Sequence, residues 1–108
     1  MATDFDLAGL RDAVAHAKVQ WQLHALERLQ ERGISRDEVF TAILKGEAIE
    51  TYLTDRPLPS CLVFHKRQEP LHVVASLDAA TGTAYVITAY RPDQEHFESD
   101  YKTRREKS

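Results

Sequence analysis

The sequence predicts one α+β domain, with helices first, then an antiparallel sheet of about four strands, then a charged tail that forms a last helix. Three observations lead there. Up to Gly46, apolar residues recur three and four apart, the period of a helix. After Gly46 the period shortens toward two, the alternation of a strand. The chain has 108 residues, enough for one core and too few for two, so residues 1–108 form a single domain. Helices grouped ahead of strands favour an antiparallel sheet over a parallel one.

Each element has its own signal. Residues 6–17 carry Leu7, Leu10, Val14 and Ala17 at helical spacing. Residues 18–23 fit either a short strand or a helix extension. Residues 24–32 read as a helix with Ala25, Leu26 and Leu29 on one side and Gly33 as its stop. The next start is the clearest: Ser35 and Glu38 have capping-box spacing, and Ile34 and Val39 flank them as a hydrophobic staple. Val39, Phe40, Ile43 and Leu44 give that helix its apolar stripe, and Gly46 ends it.

Strands follow over residues 48–53, 60–65, 71–77 and 83–90, rich in Val, Ile and Tyr. Pro57 and Pro59 stiffen the first connection, and residues 78–82 form a hairpin loop. Pro92 opens the last segment, in which residues 93–105 are expected to be a helix packing Phe97 and Tyr101 on the sheet. The expected core includes Ile43, Leu44, Val73, Ala75, Val86 and Ile87.

Composition narrows the function classes. An apolar fraction of 43% and a charged fraction of 29% suit a globular protein. No apolar run approaches the ~20 residues of a membrane span, and no basic stretch leads an apolar one at the N-terminus. Cys61 is the only cysteine, so no internal disulfide forms. A cytoplasmic location is expected. The net charge of −3 argues against nucleic-acid binding by bulk charge. Positive charge is local instead: Arg28, Arg32 and Arg36 recur four apart, and Lys102, Arg104, Arg105 and Lys107 crowd the C-terminus.

The runs HALERLQERGISRDEV (24–39), GEAIETY (46–52), DRPLPSCLVF (55–64), PLHVVASLD (70–78) and GTAYVITAYRPD (82–93) together resemble domain-of-unknown-function family 4258. The resemblance implies a RelE/ParE-like fold, with helices on one side of a curved antiparallel sheet. More distantly the chain is similar to BrnT toxins, which end in a sheet strand followed by a charged helix. The wider group includes ribonuclease toxins held inactive by a partner. The resemblance therefore implies the toxin of a toxin–antitoxin pair, cleaving mRNA, free or on the ribosome, without a metal or small-molecule cofactor. Its partner would be a cognate antitoxin of helix-turn-helix or zinc-finger type.

Metal-independent RNA cleavage needs a base for the ribose 2′-hydroxyl, cations for the phosphate and an acid for the leaving 5′-oxygen. Histidine suits both proton transfers, and arginine's fork suits phosphate. His24, Arg28 and Arg32 lie four apart and form one helical ridge. His24 and His72 are the candidate acid and base, with Arg28 beside them; Arg28, Arg32 and Arg91 are the candidate clamps. All three of His24, Arg28 and His72 are expected in one cleft where the helix ridge meets the sheet.

The bland alternative pairs the ridge arginines with Glu27, Glu31 or Asp37 and leaves His72 a satisfied buried histidine. Tyr85 and Tyr90 have odd spacing and are expected on opposite faces, with Tyr90 able to stack a base. Lys102, Arg104 and Arg105 hold phosphate or form a solvated, frayed end. Cys61, His65 and His72 do not make a zinc site, because Cys61 and His65 are roughly 13 Å apart along a strand. No glycine-rich phosphate loop or nucleophile elbow is present. Two rival readings stay open: a non-catalytic binding module, and a toxin acting on a protein target such as gyrase.

Overall fold

A computed structural model describes residues 5–106. The order is α1 (Leu7–Ala15), β1 (Val19–Trp21), α2 (Ala25–Arg32), α3 (Arg36–Lys45), β2 (Glu47–Tyr52), β3 (Ser60–Lys66), β4 (Pro70–Asp78) and β5 (Thr83–Tyr90).

The expected helix starts hold. The Asp6 carboxylate accepts from the Gly9 N–H, and the Ser35 hydroxyl accepts from the Glu38 N–H at 3.0 Å. Gly33 closes α2 in the left-handed region at φ 67°, which favours glycine. Gly46 acts differently. Its φ is ordinary, but a Cβ there would strike the Ala42 and Phe64 carbonyls. The α3–β2 reversal therefore requires glycine for space. Arg11 locks the same corner by donating to the Ile43 and Gly46 carbonyls.

The sheet departs from expectation in two ways. It has five strands in the order β1-β5-β4-β3-β2, and it is mixed rather than antiparallel, because β1 pairs parallel to β5. The ambiguous stretch after α1 supplies that extra strand. Val19 and Trp21 turn toward the core, and Trp21 meets Phe40 at a ring separation of 5.7 Å.

The tail departs from expectation as well. No C-terminal helix forms among the described residues; residues 92–105 fold back on themselves instead. Glu98 N–H donates to the Thr103 carbonyl, Arg105 N–H to the His96 carbonyl, and Phe97 bridges Arg104. Asp93 starts a turn as a helix N-cap does, accepting from the Glu95 and His96 N–H groups. Asp100 then stops it, capturing the Lys102 and Thr103 amides that a continuing helix would need. Tyr101 sits in the left-handed region at φ 59°, which no helix interior permits. Lys107 lies outside the described residues.

One core joins the helices to one face of the sheet. Leu10, Val39 and Ile43 from the helices meet Val63, Val73, Ala75 and Val86, all fully buried. Two expected core members fall outside it. Leu44, at the end of α3, is 40% exposed, and Ile87 is only half-buried.

Ile87 misses the core because of a bulge. Val74 pairs with Thr88 and Ala75 with Val86, so Ile87 is an extra residue that resets the strand's alternation. A second bulge in β2 does the same at Ile49, since Ala48 pairs with Val63 and Glu50 with Leu62. Both bulges shape the face that carries no helix.

Candidate functional site

Between them the two bulges collect polar side chains on the helix-free face. Without a bulge, Tyr85 and Tyr90 would face opposite ways, as their odd spacing led us to expect. With Ile87 inserted, Tyr85 pairs with Ser76 and Tyr90 with His72, so both tyrosines share one face. The bulge at Ile49 likewise puts Glu47 opposite Phe64, Glu50 opposite Leu62 and Tyr52 opposite Ser60. Glu47 and Glu50 thus join His72 and Tyr90 on the same side of the sheet.

His72 is at the centre and has no exposed surface. Phe64, Tyr90 and Phe97 surround it with ring centroids at 6.0, 5.3 and 4.6 Å. Its Nε2 lies 2.6 Å from the Tyr101 carbonyl, which can only accept, so Nε2 carries the proton. Nδ1 is then the unprotonated nitrogen, 3.3 Å from the Tyr90 hydroxyl. Burial pushes His72 below the ordinary histidine pKa, and the Tyr101 carbonyl and Glu50 only partly offset it. The imidazole is held neutral with a basic nitrogen facing a phenol.

Beside it lies a charged cluster. Arg104 forks onto Glu50, with Nε 2.7 Å from one oxygen and Nη2 3.1 Å from the other. Tyr52 donates to the same carboxylate. Burial opposes the charge on Glu50, yet the bonds from Arg104 and Tyr52 hold its carboxyl below the usual range. Burial and the negative Glu50 push the Tyr52 phenol up to about 12. Arg104 also lies over the Phe97 ring at 5.0 Å, and Lys102 reaches Glu47 at 3.3 Å while lying 6.0 Å above Phe64. The tail thus covers the cluster, with Phe97 only 3% exposed.

The other candidates lie elsewhere. His24 stands exposed at the start of α2, 2.6 Å from Glu27, and Arg28 faces Glu31 at 3.8 Å. Neither is among the groups that touch His72, so the expected three-residue cleft is not assembled. Arg32 donates to the Ala89 carbonyl at 2.8 Å, along the part of β5 that the three-residue β1 does not reach. It ties α2 to the sheet.

Arg91 lies between Glu38 at 2.5 Å and Glu69 at 3.3 Å, in a cleft of about 390 Å³ on the edge of α3. Arg105 binds Glu98 at 3.0 Å within the tail. A second cleft, about 370 Å³, opens on the helix-free face between Pro57, Leu58, Ser76 and Tyr85. Cys61 faces the core, where burial pushes its thiol up to about 12, so it is no nucleophile. Among the described residues, no three histidine, cysteine or carboxylate side chains gather as a metal site, and no helix is long and apolar enough to cross a membrane.

Sequence reading missed Glu50, Tyr52, Phe64 and Phe97 as members of this cluster. One signal was available. Acidic residues at 47 and 50 are opposite in sign to basic residues at 102 and 104 and nearly match them in spacing. No curated protein and no solved structure matches the chain. A family model does match, over residues 21–91. The matched stretch holds Glu50, Tyr52, His72 and Tyr90 and stops before the tail. The chain accordingly belongs to the family described as Domain of unknown function (DUF4258).

Proposed function

We propose that this protein is a toxin of the RelE/ParE-like superfamily, a metal-independent endoribonuclease acting on mRNA and neutralised by a cognate antitoxin. The observation that carries the reading is the convergence of an imidazole, a phenol and a guanidinium on the helix-free face. His72 Nδ1 is the base that takes the proton from a ribose 2′-hydroxyl. Tyr90, 3.3 Å away, positions that nitrogen and supplies a proton donor near the leaving 5′-oxygen. Arg104 offers a planar fork for the phosphate once it leaves Glu50. The products are a 2′,3′-cyclic phosphate and a 5′-hydroxyl. This reading moves the chemistry from the His24–Arg28 ridge, whose members are exposed and paired along their own helix, to the His72 cluster.

The test is induction in cells, with growth and newly formed RNA 5′ ends both followed. Wild type is expected to arrest growth and generate new ends. His72→Ala and Tyr90→Phe are expected to fold and each to lower cleavage by roughly 100-fold or more, the scale of a lost general base or general acid. Full cleavage by a folded His72→Ala variant would remove His72 from the reaction.

A second reading, a non-catalytic binding module, draws support from the charges. Arg28, Arg91, Lys102, Arg104 and Arg105 all have carboxylate partners. The net charge is −3. A wild type that neither arrests growth nor produces RNA ends would establish that reading in place of the first.

A further inference from the structure

Residues 92–105 cover the His72 cluster. They lie outside the stretch matched by the family model, 21–91. They contain no helix or named strand, yet they are well bonded internally. The Asp100 carboxylate accepts from the Lys102 and Thr103 amides and from the Thr103 hydroxyl, Asp93 accepts from the Glu95 and His96 amides, and Arg105 pairs with Glu98. A segment whose bonds are mostly its own can lift as a unit, because lifting breaks few of them.

What holds it down is short. Phe97 inserts against His72, the Tyr101 carbonyl receives the His72 Nε2–H, and two ion pairs, Lys102–Glu47 and Arg104–Glu50, latch the far end to β2. Bringing the Tyr101 carbonyl over His72 places that residue in the left-handed region, which disfavours residues with a Cβ.

We propose that residues 92–105 are an autoinhibitory strap. It seals His72 and Tyr90 in the resting molecule, and the Lys102–Glu47 and Arg104–Glu50 latch sets how often it opens. This rests on the reading of His72 as the catalytic base, and it extends that reading to regulation. The latch cations are those a phosphodiester would engage. A carboxylate fork and a phosphate present the same two-oxygen geometry to Arg104. When the strap lifts, the imidazole meets solvent and Arg104, carried on the strap, leaves Glu50; when the strap settles back over a bound phosphodiester, the guanidinium meets the phosphate in place of Glu50. The same movement therefore uncovers the base and frees the cation.

The experiment uses the full chain and two independent ways of loosening the strap. Glu47→Gln with Glu50→Gln removes the latch carboxylates and keeps both cations. Asp100→Ala unpins the turn inside the strap and leaves the sheet untouched. Access to His72 is read by its rate of carbethoxylation, with exposed His16 and His24, both outside the strap, as internal references and β3–β4 amide exchange as the check on folding. In wild type, His72 should react far more slowly than His24. In both variants its rate should rise roughly tenfold or more, the scale of one lost charge-assisted pair, with the references unchanged.

A protected His72 in both folded variants would overturn the strap, as would a wild-type His72 that reacts as fast as His24. RNA cleavage separates this proposal from the reading beneath it. Faster cleavage by the latch variant than by wild type supports both. An uncovered His72 with no cleavage by any form keeps the strap as a cover and overturns the nuclease.

Discussion

The two faces of the sheet are covered in opposite ways. On the helix side, Val63, Val73, Ala75 and Val86 are fully buried under three helices, and the contact is mainly apolar, with Arg32 adding one bond to the Ala89 carbonyl. On the other side, His72 is just as completely buried, but under a strap without regular structure, and its contacts are aromatic rings, a carbonyl and a nearby ion-pair cluster. Equal burial therefore does not mean equal stability. The first face is closed by continuous hydrophobic area, which is lost only when the domain unfolds. The second is closed by a few directional contacts, which can break locally at less than the global cost. A site that must open and close belongs on the second face.

The comparison is tested most severely on the helix side. Ile43→Ala should destabilise the domain by about 2–5 kcal/mol, the usual cost of a cavity in a core that relaxes only partly. Urea unfolding measures it, and every β3 and β4 amide should lose exchange protection together. A loss confined to α3 would mean that the helix face, too, opens piecemeal.

Next in size is Phe97→Ala on the strap. A core phenylalanine would cost about 3–5 kcal/mol. Here the global loss should be smaller, about 1–2 kcal/mol, because the open form of the strap already exposes this ring in both proteins. The local effect should be larger. The Glu98 and Arg105 amides, bonded to Thr103 and His96 within the strap, should exchange much faster while β3 and β4 keep their protection. Uniform loss across strap and sheet would make the strap an ordinary part of the core.

These differences trace back to what a sequence can and cannot display. Most of the helix face was legible: Leu10, Val39, Ile43, Val73 and Ala75 follow from period, and Ser35 and Glu38 announced the start of α3, whereas the choice of Val86 over Ile87 depends on a bulge. The helix-free face was not, because its composition depends on two bulges. Each inserts one residue, Ile49 or Ile87, and reverses every assignment beyond it. Nothing at those positions marks an insertion; both read as ordinary strand isoleucines. The tail misled for another reason. Phe97 and Tyr101 are four apart and suit a helix, but Asp100 takes the Lys102 and Thr103 amides such a helix would need, and Tyr101 sits at φ 59°. Local side-chain competition decided the outcome against periodicity. The parallel β1 was visible only as an ambiguity, since three residues carry too little period to choose.

The smallest expected effect is a change of stability with pH. Burial holds His72 below its ordinary pKa of 6.5, with Arg104 adding to the depression and Glu50 and the Tyr101 carbonyl opposing it. Tyr90 faces the same ring, and its own phenol is pushed up by burial, so it stays neutral throughout this range. Between the depressed value and 6.5, the unfolded chain binds a proton at His72 that the folded chain does not. Stability therefore rises with pH in that window. The contribution is complete above 6.5 and is lost as pH falls toward the folded value. The depressed carboxylates act further down. Glu27 and Glu50 lose their contributions only below their ordinary 4.5, and Asp93 and Asp100 below 3.8. The interval from about pH 7.5 to about pH 5.5 leaves the carboxylates aside, and the difference in urea midpoint shift between wild type and a folded His72→Gln variant singles out His72 from the five histidines. Wild type should be less stable at the lower pH. Asp100→Ala, whose strap opens more readily, lets a protonated His72 regain water, so its midpoint should fall less over the same interval. A wild-type midpoint that falls no further at pH 5.5 than that of His72→Gln would mean that the proton on His72 carries no penalty. The second face would then be open to solvent rather than sealed.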